Sequence, residues 1–327
     1  MNQPYSCKIC GESNPGKTFI AKEMMFGLMD KFAYSECTRC GSIQLDDVPE
    51  NMEKFYPADY VPFIVKRDLL GSAGDNPLAR YLRHRRSEYV LKGKSLIGRL
   101  ANAIRPAERL LFWLKKCKID FDSKILDVGC GGGNLLLNME RLGFKDLLGM
   151  DPYIESDIRL GKNIEIRKNV LKNIDGEFDL IMMHHSLEHM SSPIEAFRDI
   201  ARLLKKGGRA IVRTPVVPSY AWRFYGVNWV QLDAPRHIVI ASLTGMEVLA
   251  QRSGLKIDET EFDSTELQFI GSEQYLKDIP LYSPKSYYTD PDRSIFSRNE
   301  VEIFKKRAAE LNREKRGDQA VLYISRS

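Results

Sequence analysis

The feature that most constrains this chain is the run Ile125-Leu126-Asp127-Val128-Gly129-Cys130-Gly131-Gly132-Gly133-Asn134, continued by a helical apolar pattern over 135–142. A buried strand enters a glycine-rich turn, and a helix begins where the turn ends. Glycines there let a ligand lie against bare backbone, and the helix N-terminus supplies N–H groups aimed at it. Nucleotide-like ligands suit such a turn. From 124 to about 215, short apolar runs alternate with helical patterns; 124–128, 147–150, 163–166, 178–183 and 209–213 read as buried strands. That alternation predicts an α/β fold with a parallel sheet and crossover helices.

Composition narrows the class. The 327 residues are 43% apolar and 28% charged, which excludes collagen-like, disordered and disulfide-scaffold chains. No run of about 18 apolar residues occurs, and the start Met1-Asn2-Gln3-Pro4 leads to Cys7 without an apolar signal core, so a cytoplasmic location is expected. The net charge of +5 is uneven: residues 80–118 carry +10, whereas 1–50 carry −2. The reading divides the chain into a cysteine-paired domain over 1–50, an aromatic then basic, helical linker or cap over 51–120, and an α/β domain over 121–327. Within the last, a helix is expected near 243–253, a strand near 255–262, a polar helical insertion, and a final strand over 320–325.

Four of the six cysteines form two matching turns, Cys7-Lys8-Ile9-Cys10-Gly11 and Cys37-Thr38-Arg39-Cys40-Gly41. A thiolate pair at this spacing wraps a tight turn around Zn²⁺, and the glycine after each pair lets backbone N–H groups face the sulfurs. Cys7, Cys10, Cys37 and Cys40 are therefore expected to hold a structural zinc ion in a small zinc ribbon. A closed four-thiolate site leaves no open position for chemistry. Cys117 and Cys130 are expected to be free thiols.

The glycine spacing separates ligand classes. A dinucleotide fingerprint would need glycine at Asn134, whereas the pattern here is Asp127 followed by Gly129, Gly131 and Gly133. This resembles the first motif of the class I S-adenosylmethionine methyltransferases. The resemblance runs from about Lys124 to Ser325 and implies a Rossmann-like seven-stranded sheet, mostly parallel with the last strand antiparallel. It also implies that Asp127 orders the turn and the methionine end of the cofactor, while Gly129, Gly131 and Gly133 bracket it. Asp151, in Gly149-Met150-Asp151-Pro152, stands where the family has its ribose acid. Asn169-Val170 occupies the position where the family often has an acid near adenine. Cys130, Pro152 and His184 complete the expected cofactor-contacting set. Residues 178–183 are similar to the family's fourth strand, and 203–209 to the turn before its fifth.

Three of the five histidines fall in His184-His185-Ser186-Leu187-Glu188-His189. The spelling His185-x-x-Glu188-His189 matches an inverted zinc-protease motif, but those ligands must share one helix, and this segment continues directly from a strand. Under the methyltransferase resemblance, Glu188 and His189 line the floor between cofactor and acceptor; in some relatives an acid and a histidine there hold a divalent ion. The alternative is that they only cap and pack the turn. Beyond the fifth strand, Trp229 to Ser242 is similar to the acceptor-facing segment of sugar C-methyltransferases, whose histidine serves as base. His237 is accordingly the first choice of base and His189 the second, against a purely structural histidine. Tyr220, Trp222, Tyr225 and Trp229 either wall the acceptor pocket or belong to the core. Insertions at 215–242 and 264–317 are expected to face the acceptor.

The expected reaction is methyl transfer to a hydroxyl of a small-molecule acceptor, a sugar or glycan precursor. The layout of cysteine knuckles followed by this methyltransferase type resembles bacterial enzymes acting on sugars in polysaccharide and secondary-metabolite pathways. The sugar C-methyltransferases carry a further large C-terminal domain, so oxygen is favoured over carbon as the acceptor atom. The +10 segment reads as a solvated face, as a site for an anionic acceptor such as a sugar nucleotide or lipid-linked saccharide, or as an RNA or membrane surface. RNA methylation is disfavoured because the ribbon is acidic overall and lacks a basic, aromatic face. A non-catalytic scaffold is disfavoured by the intact glycines and ribose acid.

Overall fold

The computed structural model describes residues 5–57 and 76–327. The aromatic part of the expected cap, residues 58–75, lies outside the described residues. The chain forms two compact units. One takes the N-terminal residues through Pro57, His185–Arg198 and Val212–Leu322; the other takes the following residues through His184, Asp199–Ile211 and Tyr323–Ser327.

In chain order, the regular elements begin with strands β1 (Pro15–Lys22), β2 (Lys31–Cys37) and β3 (Ile43–Leu45), then helices α1 (Pro77–Lys92), α2 (Leu96–Ile104) and α3 (Arg109–Lys116). The alternating region supplies β4 (Lys124–Val128), α4 (Asn134–Leu142), β5 (Asp146–Met150), β6 (Ile158–Leu160), β7 (Ile164–Arg167), β8 (Phe178–His184), α5 (Pro193–Leu203) and β9 (Leu204–Pro215). The remainder contains α6 (Tyr220–Tyr225), β10 (Val239–Ile240), α7 (Leu243–Arg252), β11 (Leu255–Phe262), α8 (Leu267–Tyr275), α9 (Arg298–Arg313) and β12 (Gln319–Arg326). No helix among the described residues is long and apolar enough to cross a membrane.

The larger sheet has the order β11-β12-β9-β8-β4-β5-β7-β6. Pairings β4·β5, β4·β8 and β5·β7 are parallel, and β6·β7 is antiparallel. Parallel strands covered on both faces need continuous apolar runs. Ile125, Leu126 and Val128 of β4, and Leu180, Ile181, Met182 and Met183 of β8, meet that need and are fully buried. The seven strands expected are corrected to eight in a mixed sheet. The addition is β6, three residues turned back along β7, which covers the strand edge that β7 would otherwise present.

The turn expected over residues 203–209 falls within the start of β9, which begins earlier than the expected 209. β9 starts at Leu204 and runs through the lysines and glycines to Pro215. The chain still turns within it: Gly207 has φ of 82°, and a Cβ on Gly208 would lie 3.1 Å from the Lys205 carbonyl oxygen and 3.0 Å from that of Phe178, while Lys205 Nζ pairs with Asp179 Oδ2 at 2.8 Å. Close backbone approach is a known use of glycine inside a strand.

The smaller sheet, β1-β2-β3-β10, lies within the unit that begins the chain. β1·β2 and β2·β3 are antiparallel, and β3 pairs antiparallel with β10 through Val239 opposite Gln44 and Ile240 opposite Ile43. The cysteine-bearing segment therefore shares its sheet with residues almost two hundred positions later. Its apolar side joins one core that includes Tyr34, Ile43, Leu45, Trp229, Ile240 and Leu311. Trp229 is fully buried, and its indole N–H donates to Asp318 Oδ2 at 2.9 Å, so this aromatic is core.

Candidate functional site

The glycine turn begins at the C-terminal end of β4. Gly129 and Cys130 donate backbone N–H bonds to the Met150 carbonyl at 2.8 and 3.2 Å, which binds the turn to the end of β5. Gly131 N–H donates to Asp151 Oδ2 at 3.0 Å, and Tyr153 N–H to Asp151 Oδ1 at 2.9 Å. The carboxylate is thus fixed in direction by two backbone donors. Gly131 and Gly133 have φ of 53° and 81°, the left-handed region that disfavours side chains. A Cβ at Gly133 would also run into the Ile166 side chain. α4 starts at the next residue without a side-chain cap, so its first N–H groups face the turn.

Asp127 is buried beneath this turn, and burial, reinforced by the neighbouring Asp151 charge, pushes its carboxyl up to about 8. Two acids so placed create a site that favours a cation. Pro152 is partly exposed beside Asp151. The His184 ring stacks on Trp113 at 5.6 Å between centroids. Asn169 is engaged locally: its Oδ1 accepts from Val170 N–H at 2.9 Å and from Asn173 Nδ2 at 3.2 Å, and Val170 is 38% exposed. The residue type therefore serves the local turn, leaving Val170 as the more accessible member of that pair. Asp127, Gly129, Cys130, Gly131, Gly133, Asp151 and Pro152 come together at the ends of β4 and β5.

The histidine segment follows β8 in sequence and belongs to the other unit. His185 has φ of 52°, and Leu187–His189 form a single 3-10 turn. His185, Glu188 and His189 do not share a helix, so the protease-like spelling has no matching geometry. Glu188 is fully buried and accepts two side-chain bonds, from His185 Nδ1 at 3.2 Å and Thr214 Oγ1 at 2.9 Å. Arg213 donates to His185 Nε2 at 2.6 Å and to Asp263 Oδ2 at 2.7 Å. These bonds place the His185 proton on Nδ1, facing Glu188. Burial opposes ionisation of Glu188, but the His185 hydrogen bond and the field of His185, His237 and His189 outweigh it and hold the carboxyl at about 2.

His237 joins this cluster from the loop after α6. Its Nδ1 is 2.8 Å from the Gln231 carbonyl, and His189 Nδ1 is 2.9 Å from the Arg236 carbonyl. A carbonyl only accepts, so both rings donate from Nδ1 and keep their lone pairs on Nε2. His237 Nε2 lies 4.0 Å from Glu188 Oε1, and the two rings meet edge to face at 4.8 Å. Burial pushes His237 down to about 4, helped by His189 and opposed by Asp233 and Glu188. Glu188, His189 and His237 each offer a ligand atom within 4.8 Å of the others, an arrangement able to hold a divalent cation.

Sequence reasoning missed what holds His237 in place. Arg236 is fully buried and bonds Asp233 at 2.6 Å and Glu23 at 2.8 Å, while its guanidinium lies over the Phe26 ring at 5.4 Å. Tyr34 of β2 donates its hydroxyl to the His237 carbonyl at 2.9 Å, and Ile238 N–H donates to the Glu188 carbonyl at 2.7 Å. The one sequence signal was the close run of Asp233, Arg236 and His237.

The structure brings Cys7, Cys10, Cys37 and Cys40 together, with sulfurs within 4.8 Å of one another. Cys7–Cys40 and Cys10–Cys37 are 3.7 and 3.5 Å apart. A tetrahedral zinc with about 2.3 Å bonds to sulfur sets its ligands about 3.8 Å apart, so the spacing fits zinc. The two turns match: Gly11 and Gly41 N–H groups donate to the Cys7 and Cys37 carbonyls, each at 2.9 Å. Cys40 also accepts through its carbonyl from Ser242 Oγ, which ties the second knuckle to the loop after β10.

A strand, a glycine turn and a helix N-terminus, with a second acid at the next strand end, define a nucleotide-binding α/β protein. A family model described as a methyltransferase domain matches residues 81–260, more than half of the chain, and the chain belongs to that family. It is 30% identical over 128 residues to a ubiquinone biosynthesis O-methyltransferase of Xanthomonas oryzae pv. oryzae, covering 35% of this chain and 53% of the relative. It is 32% identical over 115 residues to a ribosomal protein L11 methyltransferase of Thermosipho melanesiensis, covering 33% of this chain and 43% of the relative. The chain spans about half the length of the curated relatives it matches. A magnesium protoporphyrin IX methyltransferase of Synechocystis, solved with bound SAH, aligns with a TM-score of 0.40 at 13% identity, over 80% of this chain and 92% of that one.

Two predictions follow from this geometry. Metal analysis of the purified chain should find zinc at the four cysteines, and chelation should speed amide exchange at Val239 and Ile240, which share the ribbon's sheet; zinc-free protein with unchanged exchange would contradict this. The second concerns pH. A histidine depressed to about 4 and unfolded near 6.5 leaves the folded state refusing a proton that the unfolded state takes, so stability falls as pH drops through that window, by about 3 kcal/mol. Denaturant titrations from pH 7 to 4.5 should show that slope, and His237→Asn should flatten it.

Proposed function

We propose that this protein transfers a methyl group from S-adenosylmethionine to a hydroxyl of a small-molecule acceptor, a sugar or glycan precursor of anionic character. The observation that carries the cofactor reading is the Asp151 carboxylate, oriented by Gly131 N–H at the glycine turn, with Asp127 buried beneath it. In this reading, Asp151 accepts the two ribose hydroxyls, the bare Gly129–Gly131–Gly133 backbone lies along the cofactor, and Asp127 serves its cationic methionine end. The cofactor supplies an activated methyl on a good leaving group. What remains for the protein is alignment and removal of one proton. The names of the O-methyltransferase relatives support oxygen as the acceptor atom.

His237 is proposed as the base. Its Nδ1–H is engaged by the Gln231 carbonyl, so the accepting lone pair is on Nε2, and its low basicity keeps the ring neutral at neutral pH. His189, with the same tautomer, is the second choice, and ionised Glu188 stabilises charge gained by either ring. The four-cysteine zinc is structural in this proposal. A second reading is favoured by the convergence of Glu188, His189 and His237. There the three residues hold a divalent ion that would lower the acceptor hydroxyl's pKa, and His237 is a ligand rather than the base.

Asp151→Ala should weaken S-adenosylmethionine binding by about 2–4 kcal/mol, because two ribose hydroxyls lose a charged acceptor. Calorimetry checks this, and unchanged affinity would remove the ribose assignment. His237→Ala should keep cofactor binding and lower turnover by about 10²–10⁴-fold. Restoration of turnover by added divalent metal, or its loss on metal removal from the wild type, favours the second reading. An untargeted mass search for a one-methylene gain among sugar nucleotides, glycolipids and RNA nucleosides identifies the acceptor.

A further inference from the structure

An ordinary surface helix turns its apolar stripe toward the core. α2 does the reverse. Its small residue Gly98 is buried and sits so close to α1 that a Cβ there would collide with the Arg85 carbonyl and the Tyr89 side chain. At 100° per residue, Leu96, Ile97, Leu100 and Ile104 fall in one arc about 100° wide, on the side away from Gly98. They are 80, 42, 66 and 87% exposed. α1 adds exposed Leu78, Tyr81 and Leu82.

Basic residues lie on this helix and next to its ends. Lys92, Lys94, Arg99 and Arg105 are exposed on α2 or within four residues of its ends, and residues 80–118 carry +10 with only Glu88 and Glu108 as acids. Glu88 is moreover paired with Arg85 at 2.7 Å. An aliphatic stripe flanked by cations matches a surface that offers negative charge outside and apolar depth beneath it. Two further considerations select among partners. A second copy of this chain would bring two strongly positive faces together, which repel. A nucleic acid would favour several aromatic platforms for its bases, whereas the exposed aromatic of α1 and α2 is Tyr81, whose ring Arg85 already covers at 5.7 Å, and the rest of the apolar face is Leu and Ile. Nine residues make a helix about 14 Å long, enough to lie in an interface and too short to span one.

We propose that α2, with its flanking basic residues, docks the protein on anionic phospholipid membranes, its Leu96, Leu100 and Ile104 side chains entering the headgroup–acyl boundary. None of these residues is among those assigned to methyl transfer, and the proposal does not depend on that assignment.

The test is sedimentation of the full chain with vesicles of phosphatidylcholine alone and of phosphatidylcholine mixed with phosphatidylglycerol. Binding should be selective for the mixed vesicles and should weaken as salt rises. The double variant Leu96→Ser, Leu100→Ser should reduce the partition coefficient at least about tenfold, because two exposed aliphatic side chains no longer enter the boundary. Its thermal unfolding should match the wild type, since both positions are solvent-facing. Arg99→Glu with Arg105→Glu should abolish the preference for the mixed vesicles. Equal binding to both vesicle types, no binding to either, or a double leucine variant that binds like the wild type would overturn the proposal. So would a wild-type dimer that the leucine substitutions dissolve, or salt-sensitive RNA binding in a chain that ignores the vesicles.

Discussion

The unit that carries the histidines depends on one buried cation. Arg236 has no exposed surface, and a guanidinium taken out of water is tolerated only where its donors and charge are met. Here Asp233, three residues earlier, and Glu23, from the N-terminal segment, meet them from two sides, and the Phe55 carbonyl takes a further bond at 3.2 Å. The arrangement fixes the loop next to His237 and pins it to the segment running between β1 and β2. Removing Arg236 would strand two carboxylates in the core, and removing either acid would leave part of its guanidinium unmet, so the loop and the ribbon-bearing segment hold their geometry together.

Proton positions around Glu188 follow from the same economy of donors. Arg213 donates to one nitrogen of His185, which leaves the other as a donor to Glu188; the Gln231 and Arg236 carbonyls take the Nδ1 protons of His237 and His189. Every ring is therefore held in a defined tautomer by a neighbour that can only donate or only accept. The result is an ionised carboxylate beside the neutral His237 ring, whose Nε2 carries a lone pair, with His189 within reach of both. Such a group can accept a proton or bind a cation, and one set of bonds prepares it for either.

Local patterns made much of this legible. The run from Ile125 to Asn134 specifies strand, turn and helix within ten residues, and its α/β context follows from the repeated alternation of apolar runs. The two cysteine turns are equally local. Contacts between distant segments were not legible. Nothing in the two residues of β10 announces that they complete a sheet begun by β3, and Arg236 gives no hint of Glu23. His237 was singled out as a base, but its convergence with Glu188 and His189 depends on a loop whose course sequence does not encode in any period. Strand β6 was missed because three residues are too few to show alternation. The Lys205–Gly208 stretch reads as a turn by composition, and the left-handed Gly207 at the start of β9 agrees with that reading.

The pairing of β3 with β10 has a temporal consequence. A polypeptide emerges from the ribosome N-terminus first, and Ile43 cannot find Ile240 until nearly two hundred further residues have been made. During that interval β3 has an open edge, and the later residues of the core it joins are missing. Metal captured by the four sulfurs, all of which lie within 34 residues of one another and ahead of β3, would keep the nascent segment ordered while it waits.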